Sequence, residues 1–276
     1  WEPRGHADQY GTIVMPPCSP EADFSVLFLH NEGYSTMCGH AIIALTKVML
    51  ETGAFEMKYP ETELKIEVPS GLITSFAQCE EGKVKNVRFL NVPSFAPLLD
   101  QKVNVPGLGE INFDLSFGGA FYAYVDLRKN TNLNFGLTDE DYRAIILSGI
   151  DIKHAVMNQD KEILHPFEDD LSFLYGTIFI DEPQDIANHS RNVCVFAEGE
   201  VDRCPTGSGA SGRMAIHKAR KEIDYGDIMT IESITDSVFK GSIITEVDYG
   251  PFKAVIPQVE GNAYITGMQT FVIDPN

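Results

Sequence analysis

Along most of the chain apolar residues either alternate with polar ones or run together in short stretches, and this strand-like pattern yields to a helical one three times. Strand-like runs cover residues 11–15, 24–30, 63–68, 71–79 and 85–89. Among them, residues 39–52 carry Ala41, Ile42, Ala44, Leu45, Val48 and Met49, with Gly53 as a stop. That apolar content is too full for an exposed amphipathic helix, so the segment is expected to be buried against a sheet. The pattern restarts at Gly118 with a strand at 120–127 and a helix from Thr138 to about Asn158 behind a Thr-Asp-Glu-Asp cap. Strands at 174–181 and 192–198 precede a third helix, 209–221, which is small on one side and basic towards its end. Strands at 228–234, 241–249, 252–257 and 263–272 close the chain, with Gly, Asp and Pro between them. The expected fold class is α/β of the α+β type: two pseudo-symmetric domains, each a mainly antiparallel sheet wrapped around a central helix. The first spans 1–117 and the second 118–265, with a C-terminal strand at about 266–276 returning to the first.

The two small-residue helices begin alike. Thr36-Met37-Cys38-Gly39-His40-Ala41 and Asp202-Arg203-Cys204-Pro205-Thr206-Gly207-Ser208-Gly209 each put a small polar or nucleophilic side chain, Cys38 or Thr206, directly before a glycine and a run that reads as the first turns of a helix, 168 positions apart (206 minus 38). Helix starts present free N–H groups and the positive end of the helix dipole, and so favour an anion. The same field is expected to lower the pKa of Cys38 from about 8.5 towards neutrality. Pseudo-twofold packing would bring both starts to one cleft, where a small acid would present its α-carbon to Cys38 on one face and Thr206 on the other.

Composition limits the partners. The net charge of −19, from 21 Lys and Arg against 40 Asp and Glu, disfavours nucleic acid and anionic membrane surfaces. No apolar run approaches the roughly 20 residues that span a bilayer, and no signal peptide opens the chain, so a cytoplasmic location is expected. Cys18, Cys38, Cys79, Cys194 and Cys204 form an odd set without metal-site spacing, which points to neither a disulfide framework nor zinc. Cys18, Cys79 and Cys194 read as packing thiols, His6 and His30 as structural, and the acidic residues 138–141 as a solvated helix start. Gly207-Ser208-Gly209 lacks the lysine of a phosphate loop, so no nucleotide is expected.

Pro3-Arg4-Gly5-His6, His30 to Tyr34, the Met37 to His40 core, Gly118-Gly119-Ala120-Phe121-Tyr122 and the Asp202 to Gly209 segment follow one another in an order that resembles the proline racemase family, within the wider diaminopimelate-epimerase-like fold. The resemblance covers nearly the whole chain. In the family's racemases and 4-hydroxyproline epimerases a second cysteine stands before the glycine at 207; Thr206 here resembles the trans-3-hydroxy-L-proline dehydratase branch. A threonine hydroxyl is too weak an acid and base for two-base inversion, whereas elimination needs one base only. The family also carries some tens of residues ahead of Pro3, and the sequence opens at Trp1 without methionine. It is therefore expected to be part of a longer chain or a truncated form whose first sheet lacks strands.

The resemblance implies roles. Cys38 would abstract the α-proton, and Thr206 would position the ring, a water molecule or the leaving group. The N–H groups of Gly39, His40, Gly207 and Ser208 would bind the carboxylate, and the side chains of His40 and Asp202 the ring nitrogen. No metal or cofactor is needed, the ligand is a small cyclic amino acid, and a homodimer is implied. Cys204, where the family commonly has serine, could act as a displaced second base, but Pro205 is expected to aim it away from Thr206. The alternatives are a proline or hydroxyproline racemase or epimerase, and a non-catalytic binder on the same scaffold.

Overall fold

A computed structural model of the chain describes residues 10–159, 161–270 and 272–274, so the segment Pro3 to His6 lies outside the described residues. Strands β1 (Gly11–Met15), β2 (Phe24–His30) and β3 (Gly33–Ser35) lead into helix α1 (Gly39–Glu51), and β4 (Glu61–Val68), β5 (Gly71–Glu80) and β6 (Lys83–Leu90) follow as a meander. Next come β7 (Phe95–Val105), β8 (Gly109–Phe117), β9 (Phe121–Asp126) and helix α2 (Tyr142–Met157). The second half repeats the plan of the first: β10 (Leu174–Asp181), β11 (Ser190–Phe196) and β12 (Glu200–Val201) lead into α3 (Gly207–Ala219), followed by β13 (Met229–Glu232), β14 (Val238–Tyr249) and β15 (Phe252–Gly261). Period-two patterning shows directly in β4, which buries Thr62, Leu64, Ile66 and Val68 and turns the residues between them outward. By contrast β11 is buried along its whole length, because α2 packs over it and β10.

One continuous sheet runs in the order β1-β2-β4-β5-β6-β15-β14-β13-β11-β10-β9-β8-β7, with β3 on β2 and β12 on β11. The path is symmetric about the β6–β15 pair over five strands on each side, with β9, β8 and β7 added beyond β10, and Leu90 to Val87 lie opposite Gln258 to Gly261 at the seam. On either side a meander leads outward to a parallel pair, β4 with β2 and β13 with β11, and then to an antiparallel neighbour, β1 or β10. The offset between equivalent elements barely changes: 166 residues from Phe24 to Ser190, 168 from Gly39 to Gly207, 168 from Glu61 to Met229 and 169 from Lys83 to Phe252. Apart from these two pairs, only β9 and β10 run parallel among the described residues. The α/β class with a mainly antiparallel sheet around central helices is therefore what the chain adopts. α1 packs against β5, β6 and β15, and α3 against β7, β8, β14 and β15.

Some elements differ from expectation. β7 and β8 were not foreseen; β7 pairs with β8 and β8 with β9, at the second half's end of the sheet. Register shifts, Pro97 and the positive φ of Asp100 (53°) break the alternation of β7. α2 starts at Tyr142, and Asp141 accepts hydrogen bonds from the Gly136 N–H (2.8 Å) and the Thr138 hydroxyl (3.4 Å), so the acidic residues tie the preceding turn. α3 starts two residues earlier than the pattern indicated, at Gly207. Residues 263–270 form no strand; Tyr264 and Met268 project into solvent without a ladder partner among the described residues.

Candidate active site

Cys38 is the residue ahead of α1 and is extended (φ −141°, ψ 102°), and its carbonyl accepts the first helical bond, from Ile42 N–H at 3.1 Å. Thr206 stands in the same place ahead of α3, accepting from Ala210 N–H at 2.7 Å, but at φ 64°, ψ 98°. Neither side chain caps its own helix, so the N–H groups ahead of Ile42 and Ala210 have no partner within their helices. The two starts meet at their glycines. A Cβ on Gly39 would lie 2.6 Å from Cα of Gly207, one on Gly207 would lie 2.7 Å from Cα of Gly39, and the Phe89 ring lies close beneath both. No other residue type permits this approach.

A small cavity at the junction is lined by all seven residues singled out from the sequence: Cys38, Gly39, His40, Asp202, Thr206, Gly207 and Ser208. Tyr10, Met37, Tyr122, Tyr175 and Phe196 complete its wall. The Tyr122 hydroxyl and Ser208 Oγ are 2.8 Å apart, Tyr175 stacks on Phe196 with centroids 5.4 Å apart, and the Tyr10 ring lies 5.6 Å from that of His40. Of these aromatics only Tyr122 stood in a segment that had been singled out. Tyr175 and Phe196 looked like ordinary strand residues, because nothing in a strand pattern tells which face meets a cavity.

The polar groups form one web. His40 Nε2 lies 3.4 Å from Cys38 Sγ, and Nδ1 lies 3.2 Å from Cys204 Sγ and 3.8 Å from Asp202 Oδ1. Thr206 Oγ1 donates to Asp202 Oδ2 at 2.6 Å. Cys204 thus turns to the Nδ1 side of the His40 ring and is not among the residues lining the small cavity. The Thr206 N–H donates to its sulfur at 3.3 Å, folding the segment back towards His40. Burial works to depress the pKa of His40, but the two neighbouring sulfurs, when ionised, favour the imidazolium and raise it well above its ordinary value. Burial pushes the Cys204 thiol up, against the opposing pull of His40. Burial also raises the Tyr10 phenol, and so does Cys38 beside it. His30 packs behind the cavity wall, against the rings of Tyr10, Tyr175 and Phe196, and burial lowers its pKa. Cys18 is exposed, while Cys79 and Cys194 are buried.

The arrangement offers two helix starts for a carboxylate, a thiol beside an imidazole on one side and a hydroxyl already bonded to a carboxylate on the other. The model of the proline racemase family matches residues 1–276. The chain belongs to the proline racemase family. It is 47% identical over 274 residues to the trans-3-hydroxy-L-proline dehydratase of Colwellia psychrerythraea, covering 99% of this chain and 76% of the relative. It is 42% identical to the 3-hydroxyproline 2-epimerase of Burkholderia multivorans, covering 99% and 81%. A crystal structure of a hydroxyproline epimerase from Agrobacterium vitis, with bound trans-4-hydroxy-L-proline, superposes on this proline racemase family fold with a TM-score of 0.90 at 32% identity, covering 96% and 76% of the two chains.

Proposed function

We propose that the protein is a trans-3-hydroxy-L-proline dehydratase, the name carried by the Colwellia relative. The observation that carries this reading is the asymmetry of the two helix starts: a thiol precedes one glycine and a threonine the other. The Thr206 hydroxyl donates its proton to Asp202, which leaves Cys38 as the acid–base group aimed at the cavity. The substrate carboxylate is held by the N–H groups of Gly39, His40, Gly207 and Ser208, and this preorganised bonding stabilises the charge that develops as the α-proton leaves. His40 and Asp202 hold the ring nitrogen. In trans-3-hydroxy-L-proline the hydroxyl and the α-hydrogen share a ring face. Cys38 as thiolate takes the α-hydrogen, the C–H electron pair forms the Cα–Cβ double bond, and the hydroxyl leaves with the proton returned by the Cys38 thiol. The products are water and Δ2-pyrroline-2-carboxylate, which tautomerises to the Δ1 imine. Thr206 orients the ring through its bond to Asp202.

A second reading, epimerisation of 3-hydroxyproline, has one observation in its favour: a second thiol, Cys204, reaches the site through His40. Incubation with trans-3-hydroxy-L-proline, borohydride reduction and chiral analysis separates the two. Racemic proline formed only with intact Cys38 establishes dehydration; cis-3-hydroxy-D-proline establishes epimerisation, and unchanged substrate refutes both. We further propose that the reaction needs no cofactor, that the enzyme is cytoplasmic and that it works as a homodimer. No helix among the described residues is long and apolar enough to cross a membrane. The division into two pseudo-symmetric domains is likewise proposed, and the run of pairs from β7 through β8 to β9 favours a boundary between β6 and β7 over one at Gly118.

A further inference from the structure

His40 Nδ1, a carboxylate oxygen of Asp202 and Cys204 Sγ all lie within 4.8 Å of one another. We propose that these three side chains form a binding site for a thiophilic divalent cation, Zn2+ above all, and that its occupancy shuts the cavity to substrate. Imidazole nitrogen, thiolate and carboxylate are the donor types zinc takes, and a tetrahedral centre with bonds of about 2.0–2.3 Å spaces its donor atoms by roughly 3.3–3.7 Å. Here Cys204 Sγ is 3.2 Å and Asp202 Oδ1 3.8 Å from His40 Nδ1, with all three donors within 4.8 Å of one another, so closing on a cation takes shifts of about 1 Å or less. The donors come from both halves of the molecule, His40 from the first turn of α1 and the other two from the segment ahead of α3.

The free fourth position faces a groove of about 1360 Å³, whose wall includes His40, Asp202 and Cys204 together with Val238 and Phe239. A water molecule can complete the coordination from that side, and the cation has an open path in. Cys38 takes no part, because its sulfur meets the opposite ring nitrogen, Nε2. The cation would occupy groups that, on the proposed function, hold the ring nitrogen. Only the blocking effect rests on that function; the binding does not.

The test uses Co2+ as a probe, titrated into the chelator-treated protein while thiolate-to-metal charge-transfer absorption is followed. One equivalent is expected to saturate the band, Zn2+ to abolish it by displacement, Cys38→Ser to retain it, and Cys204→Ser and Cys204→Ala, each with native circular dichroism, to lose it. A missing band in the wild type overturns the proposal. So does a band that survives both Cys204 substitutions, or one that is lost in Cys38→Ser. In turnover assays Zn2+ is expected to inhibit the wild type competitively and the two Cys204 variants far less. A protein that shows the band but leaves hydroxyproline unchanged would refute the proposed function and leave the cation site standing.

Discussion

Thr206 is β-branched and sits in the left-handed region at φ 64°, where such a side chain costs on the order of 1–3 kcal/mol and persists only if its surroundings hold it. Its hydrogen bond to Asp202 is one such hold. Replacing the hydroxyl by a thiol gives each ring face its own acid–base group, so Thr206→Cys is expected to release epimerised 3-hydroxyproline in chiral chromatography while dehydration falls. Cys38→Ser is expected to lower turnover by about 10²–10⁴-fold, the usual share of a positioned acid–base group, with binding of pyrrole-2-carboxylate retained by calorimetry. Cys38 and Thr206 were legible because each stands directly before a helix start, where sequence spacing is spatial spacing; His40 and Asp202 were implied by the resemblance to the family. The turn of Cys204 towards His40 was not legible, since it depends on an N–H···S bond and on a partner 164 positions away.

Helices α1 and α3 touch through backbone, and this makes their contact intolerant. Gly39→Ala brings a methyl to within 2.6 Å of Gly207 Cα. It is expected to cost about 1–3 kcal/mol, a fall of several degrees in melting temperature, and to weaken substrate binding more than a substitution elsewhere on α1. A second element-level device closes β13. Glu232 is 3% exposed, accepts from the Gln184 and Asp185 N–H groups, the Asn188 amide and the Arg191 guanidinium, and these outweigh its burial to bring the carboxyl from 4.5 to about 2. With the folded value depressed, the stabilisation is complete above pH 4.5 and is lost as pH falls towards 2, on the order of 3 kcal/mol in all. Glu232→Gln is expected to flatten that acid limb in denaturant titrations run across the same pH range. β4, β5, β6, β14 and β15 were readable from their alternating or apolar runs. β8 also alternates, Ile111-Asn112-Phe113-Asp114-Leu115, and was readable in principle. β7 was not, because its bulges shift the facing of successive residues.

Because β6 and β15 join the halves into one sheet and Phe89 lies beneath both glycines, the two halves are expected to unfold together. A calorimetric scan should show a single transition with equal calorimetric and van't Hoff enthalpies; two separable transitions would refute this coupling. The repetition of one plan was visible from the two helix starts and the strands that follow each; the nearly constant offset of the other elements came from the structure. The order of strands across the seam was not, since it rests on pairings between residues some 170 positions apart, as Leu90 with Gln258. Where Gly39 and Gly207 meet, peptide touches peptide, and the separation of the positions just before them is fixed whatever side chains those positions carry. On the proposed function the scaffold therefore works as a fixed gauge with two exchangeable tips: the grip on the acid stays constant, and a change of the letter at position 206 is expected to change the reaction outcome without rebuilding the pocket.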